Sequence, residues 1–254
     1  MKEYKGYLID LDGTMYKGKE KIEEAGDFVK RLQKKGLPYL FVTNNSSRSP
    51  EQVAGKLRSF DIPATKEQVF TTSMATATYM AKKKPNGSAY VIGEEGIRSA
   101  LEENGITLQN ENPDFVVVGI DRDINYEKLS LACLGVRNGA TFISTNGDIA
   151  IPTERGLLPG NGSLTSVVTV STQTEPIFIG KPESIIMEQA LEVLGIPKED
   201  TLMVGDNYDT DILAGINAEL DTLLVHTGVT TKDGLRSKNI QPTYTIENLG
   251  EWDI

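Results

Sequence analysis

Gly6-Tyr7-Leu8-Ile9-Asp10-Leu11-Asp12-Gly13-Thr14 is the stretch whose reading decides the fold. Tyr7-Leu8-Ile9 is a near-continuous apolar run, the pattern of a strand buried on both faces, and it stops at two acids that frame one leucine and precede a glycine. The acids therefore stand where a strand ends. Residues two apart on a strand share a face, roughly 6.6 Å apart at ~3.3 Å per residue, so both carboxylates could address one ligand, although Gly13 implies that the chain is already turning. Such a pair in a crevice can hold a divalent cation through oxygen and can divide labour between a nucleophile and an acid/base. An ordinary Asp-Gly turn after a strand explains the same nine residues equally well.

Outward from this stretch, strands and helices alternate. Ile22, Ala25, Phe28, Val29 and Leu32 fall at helical spacing within residues 21–35, and Gly36 supplies a C-cap. Residues 38–42 read as a second buried strand ending in Thr43-Asn44-Asn45, and Pro50 behind Ser49 opens a helix that runs to about Phe60. A further helix is expected over 73–83, after which Lys82-Lys83-Lys84-Pro85-Asn86-Gly87 breaks the pattern and marks a domain boundary. A second alternation follows: strands at 89–92, 115–118 and 141–143, with helices at 96–104 and 126–137. Residues 163–174 are ambiguous: Thr165, Val167, Val168, Thr169 and Val170 favour a strand, while Gly162-Ser163 looks like a helix entry, and a helix is expected. From Ile177-Phe178-Ile179 the chain resumes the first pattern. Helix 184–194 ends at Gly195, strand 202–204 runs into Gly205-Asp206, a helix covers 209–217, and strands at 222–225 and near Tyr244 close the chain.

The expected fold class is α/β, a doubly wound, Rossmann-like parallel-sheet core with a smaller α/β domain inserted in it. The core comprises residues 1–82 and 178–254, and the insertion 83–177. A length of 254 residues with 39% hydrophobic content suits such a globular chain. The net charge of -10 argues against a nucleic-acid surface, but a single phosphoryl group needs only one or two local cations and a metal. No apolar run reaches the ~18 residues of a membrane span, and the start leads straight into a strand, so the expected location is cytoplasmic. The lone cysteine, Cys133, reads as a core thiol, and the lone histidine, His226, as a hydrogen-bonded loop residue.

In an open parallel sheet, ligands bind beyond the carboxyl ends of the strands. Four polar clusters are expected there: Asp10 and Asp12, Thr43 and Asn44, Lys181, and Asp206 with Asp211. Each alone is compatible with a turn or a cap. Together, Asp10-Leu11-Asp12-Gly13-Thr14, Thr43-Asn44-Asn45, Gly180-Lys181-Pro182 and Gly205-Asp206 continuing to Asp211 resemble the four ordered motifs of the haloacid dehalogenase superfamily, over nearly the whole chain. The long insertion is similar to the large α/β cap of the branch holding p-nitrophenyl phosphatase-like enzymes and the phosphatases of phosphoglycolate, pyridoxal phosphate and nucleotides.

That resemblance implies a hydrolase of small phosphate monoesters. Asp10 is the implied nucleophile, Asp12 the acid and then the base, and Lys181 a catalytic cation. Gly13, Thr43, the Asn44 amide and Lys181 would hold the phosphate. Mg²⁺ would be held by Asp10, the Asp12 carbonyl and Asp206, with Asp211 close by. The insertion would cap the catalytic edge and bring Asn146, Asp148 and Asn161 to the leaving group. The implied partner is a small-molecule phosphate ester, with no nucleic acid and no membrane, and a homodimer is compatible with the sequence. Two other readings stay open on the residues: a phosphotransferase or phosphomutase on the same core, and a phospho-accepting signalling module.

Overall fold

The computed structural model describes residues 2–254, which divide into two compact units. The first comprises residues up to Thr43, Pro50–Phe70 and Lys181–Ile254, and the second Asn44–Ser49 with Thr71–Gly180.

In the first unit, the Gly6–Ile9 strand lies inside a six-stranded sheet, between Thr201–Gly205 and Tyr39–Thr43. Both pairings are parallel, with Leu8 opposite Met203 on one side and Leu40 on the other. Beyond Thr201–Gly205 come Asp221–Val225 and Tyr244–Ile246, and beyond Tyr39–Thr43 comes Val69–Thr71. The chain thus winds outward in one direction from its first strand and later returns to wind in the other. The switch point falls between Gly6–Ile9 and Thr201–Gly205, the place where a doubly wound sheet opens a crevice at its carboxyl ends. Helix Glu23–Lys34 buries Ala25, Phe28, Val29 and Leu32, and Gly36 follows it at φ +67, which an L side chain resists. Phe28 meets the Tyr7 ring edge-on with centroids 5.9 Å apart, inside a cluster that also holds Trp252.

The second unit has its own five-stranded parallel sheet, ordered Ile177–Phe178, Thr141–Ser144, Phe115–Val118, Ser88–Ile92 and Thr107–Leu108. An antiparallel hairpin of Ala150–Thr153 with Gly156–Pro159 is attached to it in sequence. Cys133 is buried in the core on this sheet, as its apolar neighbours imply. The ambiguous run is a helix, Asn161–Thr172. Asn161, Thr165 and Val168 are its buried residues, at i, i+4 and i+7, so packing of one helical face outweighs the strand propensity of the β-branched side chains.

Three boundaries differ from the sequence reading, the first being that Asn44–Ser49, expected in the core, falls in the second unit. Helix Thr72–Lys83 belongs with the second unit, because Thr72 Oγ1 donates to the Thr145 carbonyl at 2.5 Å and Ser73 Oγ to the Ser46 carbonyl at 3.1 Å. Ile177–Phe178 does not return to the first sheet. It is the edge strand of the second, with Ile177 opposite Ile143, and the first unit resumes only at Lys181. Among the described residues no helix is long and apolar enough to cross a membrane.

Replacing Phe28 with Ala should lower the unfolding free energy of the first unit by about 3–5 kcal/mol, the usual cost of emptying a buried aromatic site. Trp252, the one tryptophan, sits in the same cluster, so its fluorescence during urea denaturation reads that unit directly.

Candidate active site

Asp10 directly follows the Gly6–Ile9 strand, and its amide donates to the Val204 carbonyl at 2.9 Å, continuing the ladder one step past the strand. Asp206 directly follows Thr201–Gly205 on the other side of the switch point. Asp211 sits on a π-helical turn, Tyr208–Ile212, that precedes helix Leu213–Asn217, where a regular helix was expected. The wide turn closes by Asp211 N and Ile212 N both donating to the Asn207 carbonyl, a local distortion of the kind found at functional sites. Carboxylate oxygens of Asp10, Asp206 and Asp211 all lie within 4.8 Å of one another, and all three residues are buried.

One cation enters this cluster. The Lys181 ammonium is 2% exposed and donates to Asp10 Oδ1 at 2.5 Å, Asp211 Oδ1 at 2.8 Å and the Val42 carbonyl at 3.1 Å. Three N–H groups thus have three acceptors. Thr14, wholly buried, places its hydroxyl 3.2 Å from Asp206 Oδ1 and 3.4 Å from Asp10 Oδ2. Backbone amides hold the outer oxygens: Val229 N donates to Asp206 Oδ2 at 2.7 Å and Asn207 N to Asp211 Oδ2 at 3.0 Å. Gly13, at φ +97, and Gly228 must lack side chains, since a methyl at either would overlap the Asp206 carboxylate.

Burial pushes the Asp10 carboxyl well above the usual carboxylate range, and the charges of Asp211 and Asp206 add to it against the opposing pull of Lys181. Asp206 is pushed up to about 7, again by burial first and Asp211 second, against the Val229 amide and the Thr14 hydroxyl. Burial pushes the Lys181 ammonium down, but Asp10 and Asp211 outweigh it and the net direction is up. Three buried carboxylates with a single ammonium leave an excess of negative charge in low dielectric. A hard divalent cation with oxygen ligands answers that imbalance, so the donor set fits a metal such as Mg²⁺.

Asp12 does not join the cluster. Its side chain is exposed, and Oδ1 accepts from Gly18 N at 3.2 Å, because the chain turns at Gly13 into the hairpin of Tyr16–Lys17 with Glu20–Lys21. Thr43 is buried at the end of its strand. Lys181 reaches Asp10 from a chain that has just left the second sheet, and not from a strand end of the first where it was expected. In the second unit, Asn44, Asn146 and Asp148 are linked: Asn146 Nδ2 donates to the Asn44 carbonyl at 2.8 Å, Asp148 N to Asn146 Oδ1 at 3.0 Å, and Asn44 Nδ2 to Asp148 Oδ1 at 3.2 Å. Asn161, expected near a leaving group, is instead 2% exposed, with Nδ2 facing the Val118 and Asn146 carbonyls and the Ser144 and Thr145 hydroxyls. It braces the Ser144–Asn146 segment.

A family model described as haloacid dehalogenase-like hydrolase matches residues 7–107, and a second of the same kind, HAD-hydrolase-like, matches residues 178–252. The chain is 71% identical over 252 residues to the 5'-nucleotidase YutF of Bacillus subtilis, covering 99% of this chain and 98% of that one. The chain belongs to the haloacid dehalogenase-like hydrolases. It is also 55% identical to an acid sugar phosphatase of Staphylococcus aureus, over 99% of this chain and 97% of that one. The structure of a thermostable NPPase double mutant from Geobacillus stearothermophilus superposes with a TM-score of 0.95 at 60% identity, covering 100% of this chain and 99% of that chain. This hydrolase is an enzyme acting on phosphoric monoesters.

Sequence reasoning gave no role to Thr14 or to residues 227–230, although it marked His226 as the hydrogen-bonded loop residue that the structure shows. The available signal was Thr227-Gly228, a hydroxyl and a glycine just past a strand end.

Asp206→Asn keeps an acceptor for Val229 N and a polar group facing Thr14, so the variant should fold. Without metal it should melt no lower than the parent, because one repelling charge is gone. Mg²⁺ at about a hundred times its Kd should stabilise the parent by roughly 2.7 kcal/mol, and the variant should lose most of that shift. Differential scanning fluorimetry with and without chelator checks both halves.

Proposed function

We propose that this enzyme hydrolyses small phosphate monoesters, nucleoside monophosphates and sugar phosphates among them, with Mg²⁺ and through a phosphoryl group carried on Asp10. The observation that carries the reading is the state of Asp10: a buried carboxylate, tied to Lys181 and set beside two further acids at a sheet switch point. An oxygen of Asp10 attacks phosphorus as the bond to the leaving alcohol breaks, and Asp12 gives its proton to that alcohol. Asp12, now a carboxylate, takes a proton from the water that attacks the phosphoaspartate, releasing phosphate and restoring Asp10. Its exposed position next to the Gly13 turn suits a group that must meet the leaving alcohol first and the incoming water after it.

Lys181, the Thr43 hydroxyl, the Asn44 amide and the Gly13 turn are the proposed holders of the phosphoryl oxygens, where charge accumulates in the transition state. Asp10, Asp206 and the Asp12 carbonyl would hold Mg²⁺, with Asp211 supporting them. When bound, the cation would offset the repulsion between the carboxylate and the phosphate. We assign recognition of the alcohol portion to the inserted unit, through Asn146 and Asp148. The names of the relatives, a 5'-nucleotidase and an acid sugar phosphatase, support this substrate range.

The division of labour between the two acids gives the test. Asp10→Asn should form no phosphoenzyme, since a neutral amide oxygen is a poor nucleophile toward an anionic phosphoryl group. Asp12→Asn should release about one nitrophenol per active site from p-nitrophenyl phosphate, whose leaving group needs no proton, and then stall. With an alkyl phosphate the same variant should be slower than the parent by about 10²- to 10⁴-fold. Acid-quenched mass spectrometry should find the phosphate on the peptide containing Asp10. Phosphate on another residue, or steady turnover by Asp10→Asn, would replace the covalent route with direct attack by water.

A further inference from the structure

The segment from His226 to Thr230 leaves the Asp221–Val225 strand at the same sheet edge as Asp10 and Asp206, and it spends its polar groups on them. Val229 N holds Asp206 Oδ2, and Thr230 N holds the Asp206 carbonyl at 3.1 Å. Thr230 Oγ1 accepts from Tyr208 N at 2.8 Å, the amide that opens the turn carrying Asp211. The segment is itself fastened, through His226 N to the Ile246 carbonyl and His226 Nδ1 to the Thr230 carbonyl, each at 3.1 Å. Its one direct bond to the nucleophile loop is the Thr227 hydroxyl, which donates to the Gly13 carbonyl at 2.5 Å.

That carbonyl belongs to the Gly13–Thr14 peptide, which sits between the functions assigned to the first motif. On one side is Asp12. On the other is the Thr14 hydroxyl, within 3.2 Å and 3.4 Å of Asp206 and Asp10. Gly13 at φ +97 is the conformationally most permissive point of this loop, so its orientation needs an outside anchor. Gly13 N is already used on the Tyr16 carbonyl at 2.7 Å, which ties the loop to its own hairpin and not to the sheet. Thr227 supplies the tie to the sheet.

We propose that Thr227 is a positioning residue for phosphoryl transfer: by anchoring the Gly13 carbonyl it sets the angle at which Asp12 meets the leaving group. The inference rests on the roles given above to Asp10 and Asp12. A small misplacement of an acid/base group reduces turnover far more than it weakens binding. The effect should also grow with the need of the leaving group for a proton.

Thr227→Val keeps the shape and removes the hydroxyl, and Thr227→Ser keeps the hydroxyl. Thr227→Val should lower kcat for an alkyl phosphate by about tenfold to a hundredfold, lower kcat for p-nitrophenyl phosphate much less, and leave KM within about twofold. Thr227→Ser should restore both rates to within a few-fold of the parent. The Mg²⁺-induced rise in Tm should persist in both variants, because Asp206 is held by the Val229 amide and not by Thr227. An unchanged alkyl rate in Thr227→Val, an equal loss on both substrates, or a failure of Ser to rescue would overturn the inference. The underlying mechanism fails separately, and would be seen to fail, if Asp12→Asn loses the two substrates equally.

Discussion

A single buried ammonium sets the terms for the rest of this structure. Lys181 lies among three carboxylates, bonded to two of them, at 2% exposure. Desolvating such a group is costly unless every N–H is matched, and here Asp10, Asp211 and the Val42 carbonyl match all three. The match is incomplete in charge. Burial first, and the charge of Asp211 second, drive both Asp10 and Asp206 upward in pKa against the pull of the one cation. Buried ion pairs of this kind contribute little net stability, so the packing elsewhere must sustain the arrangement.

The parallel sheet provides that support because of its strand order. Asp10 and Asp206 are far apart in the chain, yet each directly follows one of two neighbouring strands, Gly6–Ile9 and Thr201–Gly205, whose register places Ile9 opposite Val204. Strand geometry therefore fixes the carboxylate positions before any side-chain contact does. The apolar cluster around Tyr7, Phe28, Phe41 and Trp252 fills one side of this sheet, and these residues give the two acids a rigid base.

The strand ends were legible in the sequence because buried parallel strands are apolar throughout and a pair of acids interrupts them sharply, as at Ile9-Asp10 and Gly205-Asp206. Lys181 was legible as a member of the set, but not its origin. Ile177-Phe178 is apolar like a core strand, and nothing local distinguishes the edge of one sheet from the start of another. Helix Asn161–Thr172 was nearly lost for the converse reason, its β-branched residues speaking for a strand while its buried face decides for a helix. Asn161 was expected at the leaving group because the insertion resembles a substrate-facing cap. Its burial among carbonyls and hydroxyls could be read only from the fold. Thr14 and Thr227 escaped notice because a threonine at a turn is ordinary in sequence and becomes informative only when its partner is known.

What holds the acids still is mostly backbone. The Thr14 hydroxyl has one proton to offer two carboxylates and can serve only one at a time, so it is a weak brace. Asp206 instead leans on Val229 N, Asp211 on Asn207 N, and Asp10 on the Val204 carbonyl through its own amide. Main-chain donors at a π-helical turn and in a short tethered loop have little freedom to move, so the Asp206 and Asp211 oxygens are oriented in advance, while Lys181 orients those of Asp10, and a bound cation would require little rearrangement. The exposed Asp12 has a weaker hold, an exposed Gly18 amide in the neighbouring hairpin that donates to Oδ1 at 3.2 Å. The placement of that acid is therefore left to the Gly13 turn and to whatever anchors it, which is why a hydroxyl on a different strand end bears on the chemistry at all.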